Sequence, residues 1–353
     1  MKGTAISRSK DLWHYCTEDH VRTMLLSFRL LGDCDWPEEK ILACLYALSN
    51  HTEDHYKRIQ IPKKSGKTRT LLTPDPLLKY VQRNLLHHVL DGLSLADCAT
   101  AYRKNRDVLY KRGGQGNREE NAYKESFGIV PNARIHVGKP LVMKLDIVDF
   151  FGNITFPMVL HQVFPARMFP PAVGNLLTSL CCCGEYLPQG APTSPAVSNR
   201  VMKPFDEFME AWCRERRISY SRYSDDLTFS GDFSPKEVRG KVKGFLGVYG
   251  FELNRKKTRI LSFSTRQKVT GLVVNEKAQT SKEYRRKLRQ EIYYCRRFGV
   301  KEHLQFQNKG EPVCEADQER YLYRLLGKVN YVRMTRPEDE WFLEARQWLK
   351  GML

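Results

Sequence analysis

No stretch of this sequence approaches the 18 or more consecutive apolar residues that a membrane-spanning helix requires. The opening MKGTAISRSKDLWHYC has no apolar core of the kind that marks a secretory signal, so cytoplasmic residence is the expectation and no membrane partner is called for. Metal and disulfide spacings are missing as well. There are ten cysteines, but Cys181, Cys182 and Cys183 are consecutive, which suits neither a C-x-x-C zinc site nor a bridge between neighbours, and they read as small buried residues. The glycines Gly113, Gly114 and Gly116 lack the strand-to-helix context of a phosphate-binding turn, and neither an internal repeat nor a low-complexity tail is present. Acid is in deficit: 40 Asp and Glu against 58 Lys and Arg give a net charge of +18. With a pI near 9.4, that surplus favours a polyanionic partner through counterion release, nucleic acid first, although an anionic membrane surface could use the same charge.

At 353 residues the chain can bury a substantial core and divide into two or three subdomains. Thr17 to Leu31 and Pro37 to Asn50 carry helical apolar periodicity. Lys63, Lys64, Lys67 and Arg69 cluster around Gly66 as a basic hairpin or loop, for which a solvated turn is the plain alternative. A further amphipathic helix is expected over Asp75 to Leu93. Arg103 to Phe127 is polar, charged and glycine-rich, a surface loop of the length that is usually functional or disordered. Lys139 to Ile147 reads as a half-buried strand ending at Asp146. Helical patterning resumes near Pro157, and Ser194-Pro195 opens a helix with one apolar face through Val197, Val201, Phe205, Phe208 and Trp212. Ser234 and Pro235 start another helix running to Tyr249, with strands expected at Phe251 to Leu253, Arg259 to Ser262 and Lys268 to Val274. The last eighty residues are mostly helical and basic: Lys282 to Lys301 holds eight Lys or Arg against two Glu, interleaved with tyrosines.

Between these helices lies SYSRYSDDLTFS, Ser219 to Ser230, which has the alternation of a hairpin with Asp225 and Asp226 at its tip. Two adjacent carboxylates repel unless a cation sits between them, so the tip suggests a divalent metal site. A solvated acidic turn has the same appearance. The order strand, helix, helix, hairpin, helix, strand would fold as a small antiparallel sheet with helices on one face, bringing Asp146 to the hairpin tip. Three converging carboxylates can hold two divalent ions about 4 Å apart, the arrangement that activates an attacking oxygen and neutralises a leaving pyrophosphate. Mg²⁺ suits hard oxygen ligands and keeps positions open for substrate phosphates. The chemistry implied is nucleotidyl transfer.

LDIVDFF (145–151), LPQGAPTSP (187–195) and YSDD (223–226), in that order, resemble the palm motifs of reverse transcriptases. NARIH (132–136) and VTG (269–271) are similar to the N-A-x-x-H and V-T-G elements of bacterial retron reverse transcriptases. The resemblance runs from about Thr17 to the end of the sequence and implies specific roles. Asp146, Asp225 and Asp226 would be catalytic and hold the two Mg²⁺. Phe151 would be the steric gate against a ribose 2′-hydroxyl, and Gln189 would contact the incoming nucleotide. Arg69 with Lys64 or Lys67 would clamp the triphosphate, and Lys257 would lie near the leaving pyrophosphate. Asn132, His136, Thr270 and Gly271 would take part in recognising the cognate RNA. Separately, the eight-to-two charge count of the basic C-terminal helices suggests Arg285, Arg286 and Arg289 as RNA contacts. His136 alone would read as a packed histidine, and those helices as a solvated face. Ser224 stands where the family usually has alanine, a small-for-small change.

The expected fold is α+β, a right hand with an N-terminal helical arm (1–50), fingers (51–144, with an insertion at 107–127), a palm (145–271) and a helical basic thumb (272–353). The resemblance implies RNA-directed DNA synthesis from dNTPs on a structured non-coding RNA. Priming would start from a guanosine 2′-hydroxyl and leave a branched RNA–DNA hybrid (msDNA). An effector protein would act with the enzyme in anti-phage defence. No nuclease, zinc or RNase H segment is legible after the thumb, so RNA removal and any toxic output are expected of other proteins. Another bacterial reverse transcriptase, of the group II intron or abortive-infection type, and a scaffold for RNA, DNA and effector are the alternatives.

Overall fold

The computed structural model describes residues 13, 16–62, 66, 68–103, 127–308 and 310–353. Lys64, Lys67 and the expected insertion, Phe127 excepted, lie outside them. Helices α1 (Glu18–Ser27) and α2 (Glu38–Asn50) start the fold, α1 capped by Thr17, whose hydroxyl accepts from the His20 N–H. Strands β1 (Tyr56–Pro62) and β2 (Thr68–Pro74) form a separate antiparallel hairpin, as the basic cluster suggested. Asp75 then caps α3 (Pro76–His88), its carboxylate accepting from the Leu78 N–H at 2.8 Å.

A four-stranded antiparallel sheet sits at the centre in the order β4-β5-β3-β6, built from β3 (Leu141–Asp146), β4 (Ser219–Tyr223), β5 (Asp226–Gly231) and β6 (Arg259–Ser262). The short α4 (Ile129–Arg134) precedes β3. Between β3 and β4 come α5 (Phe156–Gln162), α6 (Pro171–Cys181), α7 (Ser194–Val201) and α8 (Lys203–Glu215). The α+β expectation holds.

Three details differ from expectation. The helix opened by Ser194 is two helices that break at Met202, because Pro204 in the first turn of α8 has no N–H to continue the ladder. Its apolar face survives the break, with Val197, Val201 and Phe205 fully buried. Phe251 to Leu253 is not a strand; after α9 (Pro235–Val248) only Leu253 bridges to Ile147. Lys268 to Val274 folds back on itself as β7 (Lys268–Val269) and β8 (Leu272–Val273) about Thr270 and Gly271, both at positive φ (45° and 86°).

The largest core cluster runs from Leu25 to Phe251, with Cys181 and Cys182 buried in it as the sequence suggested, whereas Cys183, expected to be buried too, is only half-buried just past the end of α6. A second unites α10 (Lys282–Phe298), α11 (Val300–Gln307), α12 (Glu315–Arg333) and α13 (Glu340–Gly351) around Ile292, Leu325, Val329 and Phe342. A third, small cluster joins α4 to the β7–β8 turn through Val130, Ala133, Val269 and Leu272, with Tyr331 of α12 packed on it. Among the described residues no helix is long and apolar enough to cross a membrane.

Candidate nucleotidyl-transfer site

The sheet brings the acidic residues together. Asp146 is the last residue of β3 and lies directly opposite Asp226, the first residue of β5. The β4–β5 turn is Ser224-Asp225, and Tyr223 pairs with Asp226 across it. Two backbone bonds fasten neighbouring segments to this corner: the Ile147 N–H donates to the Asp225 carbonyl at 3.1 Å, and the Asn254 N–H donates to the Asp146 carbonyl at 2.7 Å. The second bond draws in the loop carrying Lys257, whose ammonium reaches Asp146 Oδ2 at 2.8 Å.

The charges here are under tension. Burial, and then the charge of Asp146, hold the Asp225 carboxyl above its ordinary range. Burial also raises Asp226, offset by Lys144 at 4.0 Å and reinforced by Asp225 and Asp146. The hydrogen bond to Asp146, followed by the surrounding carboxylates, raises Lys257. Asp146 is 5% exposed, and its Oδ1 has no protein partner. Among the described residues no three His, Cys, Asp or Glu side chains are gathered closely enough to chelate an ion as they stand. The donor set nonetheless fits a hard divalent cation: three carboxylates in one corner, one buried oxygen unpaired, and a lysine ammonium already neutralising another. Lys144 was missed from sequence, although period-two alternation in β3 puts it on the face of Asp146.

The nucleotide-side residues surround this corner unevenly. Phe151 follows β3 in a tight loop, half-buried against Phe150 with ring centroids 5.4 Å apart. The Gln189 carbonyl accepts from the Leu72 N–H at 2.9 Å, which docks the 187–195 loop on the β1–β2 hairpin. Gly190 makes that approach possible, since a Cβ there would meet the Leu72 carbonyl at 2.6 Å. Arg69 is exposed on β2, opposite Ile61.

The expected RNA contacts divide. His136 is fully buried, its ring nitrogens held by Ser230 Oγ at 2.7 Å and Ser221 Oγ at 2.8 Å. Asn132 is equally buried and accepts from the Thr100 hydroxyl at 2.8 Å. His136 therefore ties β4 to β5, Asn132 holds Thr100, and neither side chain reaches the surface. Thr270 donates to the Ile129 carbonyl at 2.8 Å, while Gly271 is exposed beside the Tyr331 hydroxyl. Arg285 corrects an expectation as well: it is 7% exposed and turns inward to the Thr280 carbonyl at the start of α10. Arg286 is exposed, and Arg289 lies over Phe342 at 4.9 Å. With Tyr293, Tyr294, Arg296 and Trp341 these two line an open groove of about 450 Å³.

Residues 61–294 match the family described as reverse transcriptase (RNA-dependent DNA polymerase). The chain belongs to this family. Its curated relatives carry the retron resemblance further. The chain is 30% identical over 317 residues to the retron Mx65 reverse transcriptase of Myxococcus xanthus, covering 84% of this chain and 65% of that protein. It is 29% identical over 262 residues to the retron Ec86 reverse transcriptase of Escherichia coli, covering 72% of this chain and 75% of that protein. Among solved structures, telomerase from Candida albicans aligns over 84% of this chain and 63% of that one, with 11% identity and a TM-score of 0.40. The family match covers the 145–151, 187–195 and 223–226 motifs together, and the retron relatives agree with what NARIH and VTG implied.

Proposed function

We propose that this protein is a retron-type RNA-directed DNA polymerase whose active corner is Asp146, Asp225 and Asp226. The observation that carries the reading is the ladder register that sets Asp146 opposite Asp226, with Asp225 tied by its carbonyl to Ile147. These three residues would hold two Mg²⁺. When bound, the ions supply activation of the attacking hydroxyl and neutralisation of the leaving pyrophosphate. The chain's own groups do the rest. Lys257, whose ammonium lies on Asp146 Oδ2, stands at the carboxylate edge, where its charge would meet the leaving pyrophosphate. Phe151 presents a ring to the sugar of a bound dNTP, where an added 2′-oxygen has no room. Gln189 positions the nucleotide from the loop docked on β2, and Arg69, whose forked guanidinium suits phosphate oxygens, clamps the triphosphate together with Lys64 or Lys67.

The substrates on this reading are dNTPs and a structured non-coding RNA, primed from an RNA 2′-hydroxyl and yielding msDNA, with an effector protein completing a defence system. These finer steps rest on the resemblance to retron enzymes. In cells, replacing Asp225 and Asp226 by Asn should abolish the short DNA that accumulates with the wild-type protein. Sequencing the co-purifying nucleic acid should return a branched RNA–DNA hybrid. Undiminished DNA in the double variant removes the catalytic assignment, and phage resistance that persists without DNA makes the protein a scaffold.

A further inference from the structure

Beneath the catalytic turn, on the face opposite His136, Arg222 of β4 is completely buried. Its guanidinium is divided between two partners. Nε and Nη2 grip the carboxylate of Asp206 on α8, at 2.9 Å and 2.6 Å. Nη1 donates to the carbonyl of Ser224 at 3.1 Å. Asp206 is also fully buried and accepts from the Tyr220 hydroxyl at 2.9 Å. The Arg222 backbone is pinned too, its N–H donating to Cys98 and its carbonyl accepting from Thr100.

A buried ion pair is a weak means of stabilising a core, because an apolar pair of similar volume serves about as well. What an apolar pair cannot do is deliver a donor to a chosen carbonyl. That carbonyl belongs to Ser224, which sits in the left-handed region at φ 61°, immediately before Asp225. A non-glycine residue holds such a backbone only when its surroundings over-determine it. The peptide joining Ser224 to Asp225 sets the direction in which the Asp225 carboxylate leaves the turn.

We infer that Arg222, oriented by Asp206, is a positioning residue that fixes the Ser224-Asp225 peptide and so aims the Asp225 carboxylate at the reacting centre. The inference rests on the polymerase reading above for its effect on rate, and on geometry alone for its effect on the turn. Arg222→Lys keeps a cation for Asp206, but a single ammonium on a flexible stem cannot fork to the Ser224 carbonyl as well. The folded variant should show faster amide hydrogen exchange in a peptide spanning 223–228 than the wild type, with exchange elsewhere unchanged. On a primed RNA template its kcat should fall by up to about 100-fold, the scale of a misplacement near 1 Å. Its KM for dNTP should stay within about twofold, and its Mg²⁺ requirement should rise. Val238→Ala, a truncation in α9 away from the hairpin, controls for loss of stability and should keep its kcat at a comparable loss of melting temperature. If Arg222→Lys does not fold, the neutral pair Asp206→Asn with Arg222→Gln carries the same expectations. Wild-type exchange at 223–228 in the folded variant overturns the inference, as does an equal fall in kcat for Val238→Ala. A wild-type protein without polymerase activity overturns the proposed function instead, and the exchange measurement still decides the role of Arg222.

Discussion

Three titratable side chains around the hairpin, Asp225, Asp226 and His136, strain the fold, each in its own direction. Asp225 and Asp226 have carboxyl groups raised in the folded state relative to their ordinary value of 3.8, chiefly by burial. Above both values the ionised form therefore favours the unfolded chain, and the strain is relieved when a carboxylate is neutralised or a cation arrives. Asp225→Asn should accordingly melt at a temperature equal to or above that of the wild type at pH 7 while losing DNA synthesis, and Mg²⁺ should raise the melting temperature of the wild type more than that of the variant. A variant destabilised by several degrees would show that the turn depends on the charged carboxylate for its shape. His136 strains the fold in the opposite range. Burial, aided by the charge of Lys139, lowers its imidazole from 6.5 to about 3. Below pH 6.5 the unfolded chain takes up a proton that the folded chain refuses, so stability is full above that pH and declines as pH falls toward 3, by up to about 1.4 kcal/mol per pH unit. Urea unfolding at pH 7 and pH 5 should show this decline in the wild type and a shallower one in His136→Asn, although the variant starts from lower stability. Parallel slopes would place the acid sensitivity at other groups.

At the scale of elements, the hairpin is held on both faces: His136, in the turn after α4, reaches one, and α8 reaches the other through Asp206. The V-T-G turn connects α4 onward to the C-terminal helices, since Thr270 bonds to Ile129 and Gly271 lies against Tyr331 of α12. Gly271 has φ 86°, and an added Cβ would lie 3.1 Å from the Tyr331 hydroxyl. Gly271→Ala should therefore lose about 1–2 kcal/mol from the left-handed backbone, with tyrosine displacement adding to it, as read by urea unfolding. A loss no larger than that of an exposed helix substitution would mean that the turn relaxes freely. These elements also mark where the sequence was legible. The strand ending at Asp146 and the hairpin tip were readable because period-two alternation and local turn chemistry decide them. The break at Met202 follows from Pro204, a local signal that a continuous apolar face concealed. The clamp was not readable: Arg222 and Asp206 are sixteen residues apart in sequence and meet only through the packing of α8 on β4. Nor could the sequence distinguish Arg285, which turns inward, from Arg286, which does not, because both belong to one basic run.

For the whole molecule, the net charge of +18 is the property that any nucleic-acid partner meets first, and its distribution decides which part of it matters. Charge seated in the core cannot release counterions from a phosphate. Arg222 is spent on Asp206, and Arg285 is turned to the Thr280 carbonyl. Arg286 is exposed at the groove of α10, beside Tyr293, which is 53% exposed and offers a ring face to an unpaired base. If this groove carries RNA, Arg286→Gln should weaken binding and reduce the slope of log K against log salt by roughly 0.7–0.9 per lost phosphate contact. Arg285→Gln, at matched folding, should leave the slope unchanged and show its effect in melting temperature instead. Arg289→Gln should fall between the two, because its guanidinium is partly engaged over Phe342 and near Asp339. Measuring RNA binding from low to moderate salt for the three variants separates a gripping surface from a solvated basic face. Three slopes equal to the wild type would remove α10 from the RNA interface and assign the excess charge to another face of the molecule.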